Sequence, residues 1–298
     1  MIRLFLQAYA LTLTAFLVSA APLELSLRRL VETEPGQGQW KTVESRVEWN
    51  AAHTCVVVCD MWDKHWCKGA TARVGEMAPR MNQLITNLRD RGVFIIHCPS
   101  ETMKFYEDTA GRKLAQSAPK AAVQSPPMSW LSLDPKREPP LPIDDSDGGC
   151  DDSPQCRVGS PWTRQVETLE IKEGDAVTDN AEAFDLMQRR GITNVIVMGV
   201  HQNMCVLGRP FSIRQMIRQG QNVVLVRDMT DSMYNSRRKP YVDHFTGNDL
   251  VTWHIEKYWC PTITSDQILG DQPFRFSGDT KPPRKFENQV KQPENIDR

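Results

Sequence analysis

Hydrophobic residues along this chain follow two kinds of pattern, and the change between them sets the architecture. Near the start, Leu23-Glu24-Leu25-Ser26-Leu27 and Val43-Glu44-Ser45-Arg46-Val47 alternate apolar with polar, with Gly36-Gln37-Gly38 between them. A period of two marks a strand with one wet face, so these segments predict a small antiparallel ribbon in an N-terminal extension over residues 21–52. From residue 53 onward the runs become continuous. Thr54-Cys55-Val56-Val57-Val58-Cys59 ends at Asp60, and Val93-Phe94-Ile95-Ile96 ends at His97. Val195-Ile196-Val197-Met198 ends at Gly199-Val200, and Val223-Val224-Leu225-Val226 ends at Arg227-Asp228. Strands that are apolar on both sides belong to a parallel sheet covered on both faces.

Helical spacing fills the intervals. Val74, Met77, Met81, Leu84, Ile85 and Leu88 recur every three or four residues, and Gly92 ends that helix. Asp179 with Glu182 three residues on predicts a capped helix closed by Gly191. Val206, Ile213 and Ile217 predict a helix running from Cys205 to Gly220. Strand–helix–strand units with short links imply right-handed crossovers and a three-layer α/β/α sandwich over residues 53–265. The rhythm breaks over residues 105–165, where prolines cluster from Pro119 to Pro161 and acids gather between Asp144 and Asp152. This is a long insertion, either a lid or a surface decoration. Residues 266–298 are polar and predict a flexible tail.

Composition narrows the function classes. The 298 residues are 40% hydrophobic and carry 36 basic and 37 acidic side chains, a net charge of -1. No basic field for nucleic acid follows from that balance. The chain opens with Arg3, an uncharged apolar stretch from Leu4 to Val18 and the small residues Ser19-Ala20. That is the form of a secretory signal over residues 1–20, and it predicts a secreted or periplasmic protein. No second spanning run follows over residues 60–270, so no stable membrane association is expected after signal removal. In an oxidising compartment Cys150 and Cys156 suggest a local disulfide, and Cys67 with Cys260 could form a second pair that the sequence alone does not show. Cys55, Cys59 and Cys98 read as buried small residues.

In an open parallel sheet, ligands bind beyond the carboxyl ends of the strands. Asp60 falls at such an end, Lys172 follows the apolar Leu169-Glu170-Ile171, and Cys205 lies where a strand turns into a helix. A thiol at a helix N-terminus is a candidate nucleophile with a depressed pKa, a carboxylate is a candidate base, and a lysine can hold both.

The order of these motifs resembles the isochorismatase-like cysteine hydrolases, which include nicotinamidases and related amidases. The resemblance rests on Asp60-Met61-Trp62-Asp63-Lys64-His65-Trp66-Cys67, then Lys172, then Gly199-Val200-His201-Gln202-Asn203-Met204-Cys205-Val206, and it covers about residues 53–262. It implies a six-stranded, mostly parallel sheet between helices. It also implies a triad in which Cys205 attacks a carbonyl carbon, Asp60 moves the proton and Lys172 bridges them. The backbone N–H groups of Met204 and Cys205 would form the oxyanion hole. A cis peptide would lie between Val200 and His201, and His201, Trp62 and His97 would line the substrate site. A homo-oligomer and a small-molecule substrate are implied as well.

Two departures matter. The nicotinamidase Asp-x-His metal set has no counterpart in His97-Cys98-Pro99-Ser100-Glu101, and Glu173-Gly174-Asp175 follows Lys172 in place of the family's Lys-x-x-x-Ser-x-Phe. No cofactor is required by this chemistry, although His65 and His97, with Asp63 and Glu101, form a possible divalent-metal set. The leading expectation is an exported cysteine hydrolase cleaving a small amide or related C–N bond through a thioester. The alternatives are a catalytically silent binding module of the same fold and an isochorismate-type vinyl ether hydrolase.

Overall fold

A computed structural model describes residues 21–287; the signal segment expected over residues 1–20 lies outside them, as do residues 288–298. The elements run β1 (Leu23–Glu32), β2 (Trp40–Trp49), β3 (Thr54–Cys59), α1 (Lys68–Asp90), β4 (Phe94–Cys98), α2 (Met103–Tyr106), α3 (Ala110–Gln116), β5 (Ala176–Val177), α4 (Glu182–Arg189), β6 (Asn194–Val200), α5 (Cys205–Gly208), α6 (Ile213–Arg218), β7 (Asn222–Asp231), α7 (His244–Tyr258), β8 (Thr262–Ile263) and α8 (Asp266–Leu269).

The strands form one sheet in the order β2-β1-β8-β7-β6-β3-β4-β5. The six from β8 to β5 are all parallel to one another, as the continuous apolar runs require. The ribbon β1–β2 pairs antiparallel, with Leu23 facing Trp49 and Leu25 facing Val47. It extends the sheet by laying Arg28 of β1 opposite Thr262 of β8. The sheet therefore has eight strands where six were expected, the additional two being this ribbon.

Both faces are covered. Val56, Val58, Ile95, Ile196 and Val224 pack on Val74, Met77, Met81 and Leu88 of α1. Val57, Ile96, Val197 and Leu225 pack on the other side against Phe184 of α4, Met216 of α6 and Ile255 of α7. Gly199 is where β6 presses on β3. Its φ is +111°, and a Cβ there would lie 2.0 Å from the carbonyl oxygen of Cys59. Only glycine fits that approach.

Four expectations need correction. The single helix from Cys205 to Gly220 is two, because Pro210 cannot follow a helical residue and forces Arg209 into extended backbone (φ −67°, ψ 159°). The N-cap of α4 is Ala181, which has no side chain to cap with; Asn180 just before it accepts the Glu182 N–H at 2.9 Å, while Asp179 accepts from the Glu101 N–H at 3.1 Å. The segment after residue 265 is structured through Glu287, not flexible: α8 forms, Phe274 and Phe276 pack into the α1-side core, and Phe286 meets Trp253 edge-on at 5.5 Å. Its three phenylalanines give this otherwise polar stretch enough apolar surface to bury. Finally, Cys150 and Cys156 are free thiols, and Cys67 and Cys260 sit in separate core clusters.

From Ser117 to Asp175 the insertion holds neither helix nor strand, yet it is tied down along its length. The Leu131 N–H donates to the Gly208 carbonyl at 2.7 Å, and the Asp144 N–H to the Lys239 carbonyl at 2.9 Å. Glu138 is buried and takes Arg214, His254 and the Trp259 indole N–H, each at 2.7 Å. Trp162 stacks on Trp62 at 4.4 Å. The insertion thus lies across the carboxyl ends of the strands, where the candidate site is.

Candidate active site

Asp60 is fully buried one residue past β3 and adopts φ +47°, a left-handed conformation that a non-glycine residue pays for in strain. The turn is held by its own N–H on the Cys98 carbonyl (3.0 Å) and its carbonyl on the Trp62 N–H (2.8 Å). That conformation points the carboxylate along the end of the sheet. Its Oδ1 accepts the Ser100 N–H at 2.7 Å, and its Oδ2 accepts Nε of Arg209 at 3.2 Å. The Cys205 thiol, 8% exposed at the start of α5, lies beside the same carboxylate, close enough for each to act on the other's ionisation.

The electrostatics follow from burial. Burial pushes the Asp60 carboxyl above the ordinary aspartate range, against the opposing Arg209 charge. Burial, with the Asp60 charge beside it, pushes the Cys205 thiol well above its ordinary value. The expectation of a thiol depressed by a helix N-terminus is therefore reversed: α5 is a single turn, and it is outweighed by a dry site with a carboxylate beside the thiol. The proton rests on sulfur. Arg209 stays charged, because Asp60 and Cys205 favour its ionised form despite burial.

Lys172 does not join this site. Its ammonium pairs with Glu170 at 2.9 Å and its side chain is 54% exposed. Asp175, at the end of the Lys172 turn, draws in only the Lys172 backbone N–H at 2.8 Å. The cation against Asp60 is Arg209, one helical turn after Cys205, which also reaches Glu101 at 3.2 Å. Sequence reading missed it, although Cys205 and an arginine four residues on share one face of a helical turn.

The other expected residues divide. The Val200–His201 peptide is cis, and the Val200 carbonyl accepts from the Cys59 thiol at 3.5 Å. The Met204 N–H is engaged by the His201 carbonyl at 2.9 Å, so the turn occupies the oxyanion donor expected there. Cys205 opens α5, so its N–H has no acceptor within the helix. The turn is braced from outside, with Gln202 on Ser232 (2.9 Å) and Asn203 on Asp145 (2.8 Å).

Trp62 is buried and donates its indole N–H to the Ser100 carbonyl at 3.0 Å. With Trp162, His65 and Trp66 it builds an aromatic wall. His201 is buried edge-on against His65 at 5.0 Å, and its Nε2 has no partner among the described residues. The charges of Asp231 and of Arg73 on α1 act on its ring.

His97 is a buttress, not a substrate contact: its ring bridges Gln165 at 2.9 Å and Asp175 at 3.3 Å. Asp63 is engaged by Thr163 and Glu101 by Arg209, so His65, His97, Asp63 and Glu101 do not converge as a metal set.

The α/β sandwich thus brings a thiol, a carboxylate and a cation together at the ends of its parallel strands. The isochorismatase domain, matched by residues 54–253, is the family of this chain: it belongs to the isochorismatase family and is a hydrolase. No curated protein matches it. Among solved structures, a cysteine hydrolase from Pseudomonas syringae pv. phaseolicola is 15% identical over 74% of this chain and 94% of its own, with a TM-score of 0.46. An isochorismatase from Pseudomonas putida is 14% identical over 72% and 89%, with a TM-score of 0.43. A zinc complex of the pyrazinamidase of Pyrococcus horikoshii is 15% identical over 69% and 97%, with a TM-score of 0.38.

Proposed function

We propose that this hydrolase cleaves a small amide or related C–N bond through a Cys205 thioester. The observation that carries the reading is the buried Cys205 thiol beside an Asp60 carboxylate whose charge is balanced by Arg209 at 3.2 Å. As sulfur attacks the carbonyl carbon, its proton passes to Asp60. The carboxyl raised by burial is a stronger base than an exposed aspartate would be. Asp60 then delivers that proton to the departing nitrogen as the C–N bond breaks. Water, deprotonated by the same carboxylate, cleaves the thioester and restores the thiol. Arg209 replaces the family lysine as the charge partner throughout. The Cys205 N–H supplies an oxyanion donor. The aromatic wall of Trp62, Trp162 and His65 shields the buried site from water.

A second reading keeps the site and moves the chemistry to Asp60. A carboxyl raised by burial can protonate a vinyl ether without help from sulfur. One experiment separates the two: Cys205→Ala assayed on a carboxamide panel and on a vinyl ether, with acid-quenched mass spectrometry of the unmodified enzyme. Loss of amide turnover together with an acyl adduct on Cys205 supports the thioester. Turnover that survives Cys205→Ala sinks it.

Export remains part of the proposal, supported by Arg3, the apolar stretch to Val18 and Ser19-Ala20. N-terminal sequencing of protein recovered from outside the cytoplasm tests it, with a mature start just after Ala20 as the expected result.

A further inference from the structure

On the far side of the turn from Asp60, three thiols converge on one oxygen. Cys67 Sγ lies 3.4 Å from Asp152 Oδ2, Cys150 Sγ 3.4 Å, and Cys156 Sγ 3.2 Å. The ligating atoms of Cys67, Cys150 and Asp152 all lie within 4.8 Å of one another. The Gly69 N–H also points to Asp152 Oδ2, at 3.1 Å. Four donors therefore crowd an oxygen that has two lone pairs. Hydrogen bonding alone is a poor account of such a cluster; a cation at its centre, with the thiol protons gone, is a good one.

We propose that Cys67, Cys150, Cys156 and Asp152 form a structural zinc site. In a tetrahedral site with ordinary Zn–S and Zn–O lengths, each sulfur sits about 3.6 Å from the oxygen ligand. The three observed separations are close to that edge; Cys67, Cys150 and Asp152 already lie within reach of one ion, and a rotation of the half-buried Cys156 side chain, whose sulfur stands outside that group of three, closes the set. The donor set, three thiolates and one carboxylate, is closed and suits zinc rather than magnesium or calcium.

Cys67 occupies the N-cap position of α1, a helix of 23 residues whose N-terminal dipole favours negative charge there. Arg237 donates to the Asp152 carbonyl at 2.9 Å, and Arg73 to Asp151 at 3.0 Å. Both cations offset the excess negative charge of the site. Binding releases the three thiol protons to solvent.

The site would fasten the insertion to the first turn of α1. Trp66 and Met204 pack on this same small cluster, one beside the aromatic wall and the other next to Cys205. The metal would thus fix the wall and the nucleophile turn without touching substrate.

The test uses the purified full chain, free of reductant and chelator, with zinc counted by mass spectrometry and exchange for Co²⁺ followed by absorption. One zinc per chain, and cobalt bands of tetrahedral thiolate coordination, are expected. Cys156→Ser, at the most exposed ligand, is expected to lower zinc affinity at least tenfold and to shift the cobalt bands. A folded chain that neither retains zinc nor takes up cobalt overturns the proposal. So does a disulfide between any two of Cys67, Cys150 and Cys156 in non-reducing peptide maps. The readouts do not depend on turnover, so failure here leaves the thioester reading standing.

Discussion

Nε of Arg209 lies 3.2 Å from the Asp60 carboxylate, with the Cys205 thiol beside that same carboxylate, so one helical turn carries both the nucleophile and its charge partner. The family's lysine would come from a different strand. Here both groups arrive together, and Pro210 sets the angle by ending the helix at Arg209.

Arg209→Ala should therefore lower kcat/KM on an amide substrate by about 100-fold or more, the scale of losing one electrostatic contact in a dry site. It should also destabilise the fold by about 3–5 kcal/mol by leaving a buried carboxylate unpaired. Lys172→Ala should change neither, because its ion pair with Glu170 is exposed and worth under about 1 kcal/mol. Steady-state kinetics and urea unfolding of the two variants check the pair. Equal loss in both would restore Lys172 to the site.

The thiol offers a second measurement. Burial and the Asp60 charge hold Cys205 protonated at neutral pH. Iodoacetamide should label it slowly, and Asp60→Asn should label faster at the same pH once the neighbouring charge is gone. Peptide mapping of labelled Cys205 over pH 5–9 decides it. Slower labelling in Asp60→Asn would mean that the carboxylate activates the resting thiol.

Stability should fall in two steps on acidification. His65 is pushed down to about 4, by burial first and then by the Arg73 charge. A histidine lowered on folding contributes stability that is full above about 6.5 and is lost as pH drops toward 4. Glu138 follows. Burial raises it, but the hydrogen bonds of His254, Arg214 and Trp259 together hold it at about 2. Its contribution is full above about 4.5 and is lost as pH falls toward 2. Urea midpoints across pH 2–8 should show both steps. Glu138→Gln should remove the lower one, and His65→Asn should flatten the upper one.

The large elements were legible in the sequence because they are long or strongly patterned. Four continuous apolar runs became β3, β4, β6 and β7, and the spacing from Val74 to Leu88 became the core of α1. The two-residue strands β5 and β8 have no period to read. In the site, Asp60 and Cys205 were legible because each ends or follows an apolar run. Arg209 was not, since a basic residue after a cysteine has no periodic signature of its own. Lys172 misled because a lysine after Leu169-Glu170-Ile171 looks like a strand end, while those residues form no strand and Lys172 opens an exposed turn closed by the Asp175 N–H on its carbonyl. The three thiols around Asp152 were read as disulfide partners because spacing along the chain says nothing of a third sulfur arriving from α1.

The ribbon at the sheet edge sets an order of events. β1 is made before any other strand, but its place beside β8 exists only when Thr262 has been made. The first of the described strands to be made are thus among the last that can dock, and until then Leu23 and Leu25, which share one face of β1, wait for the sheet that buries them.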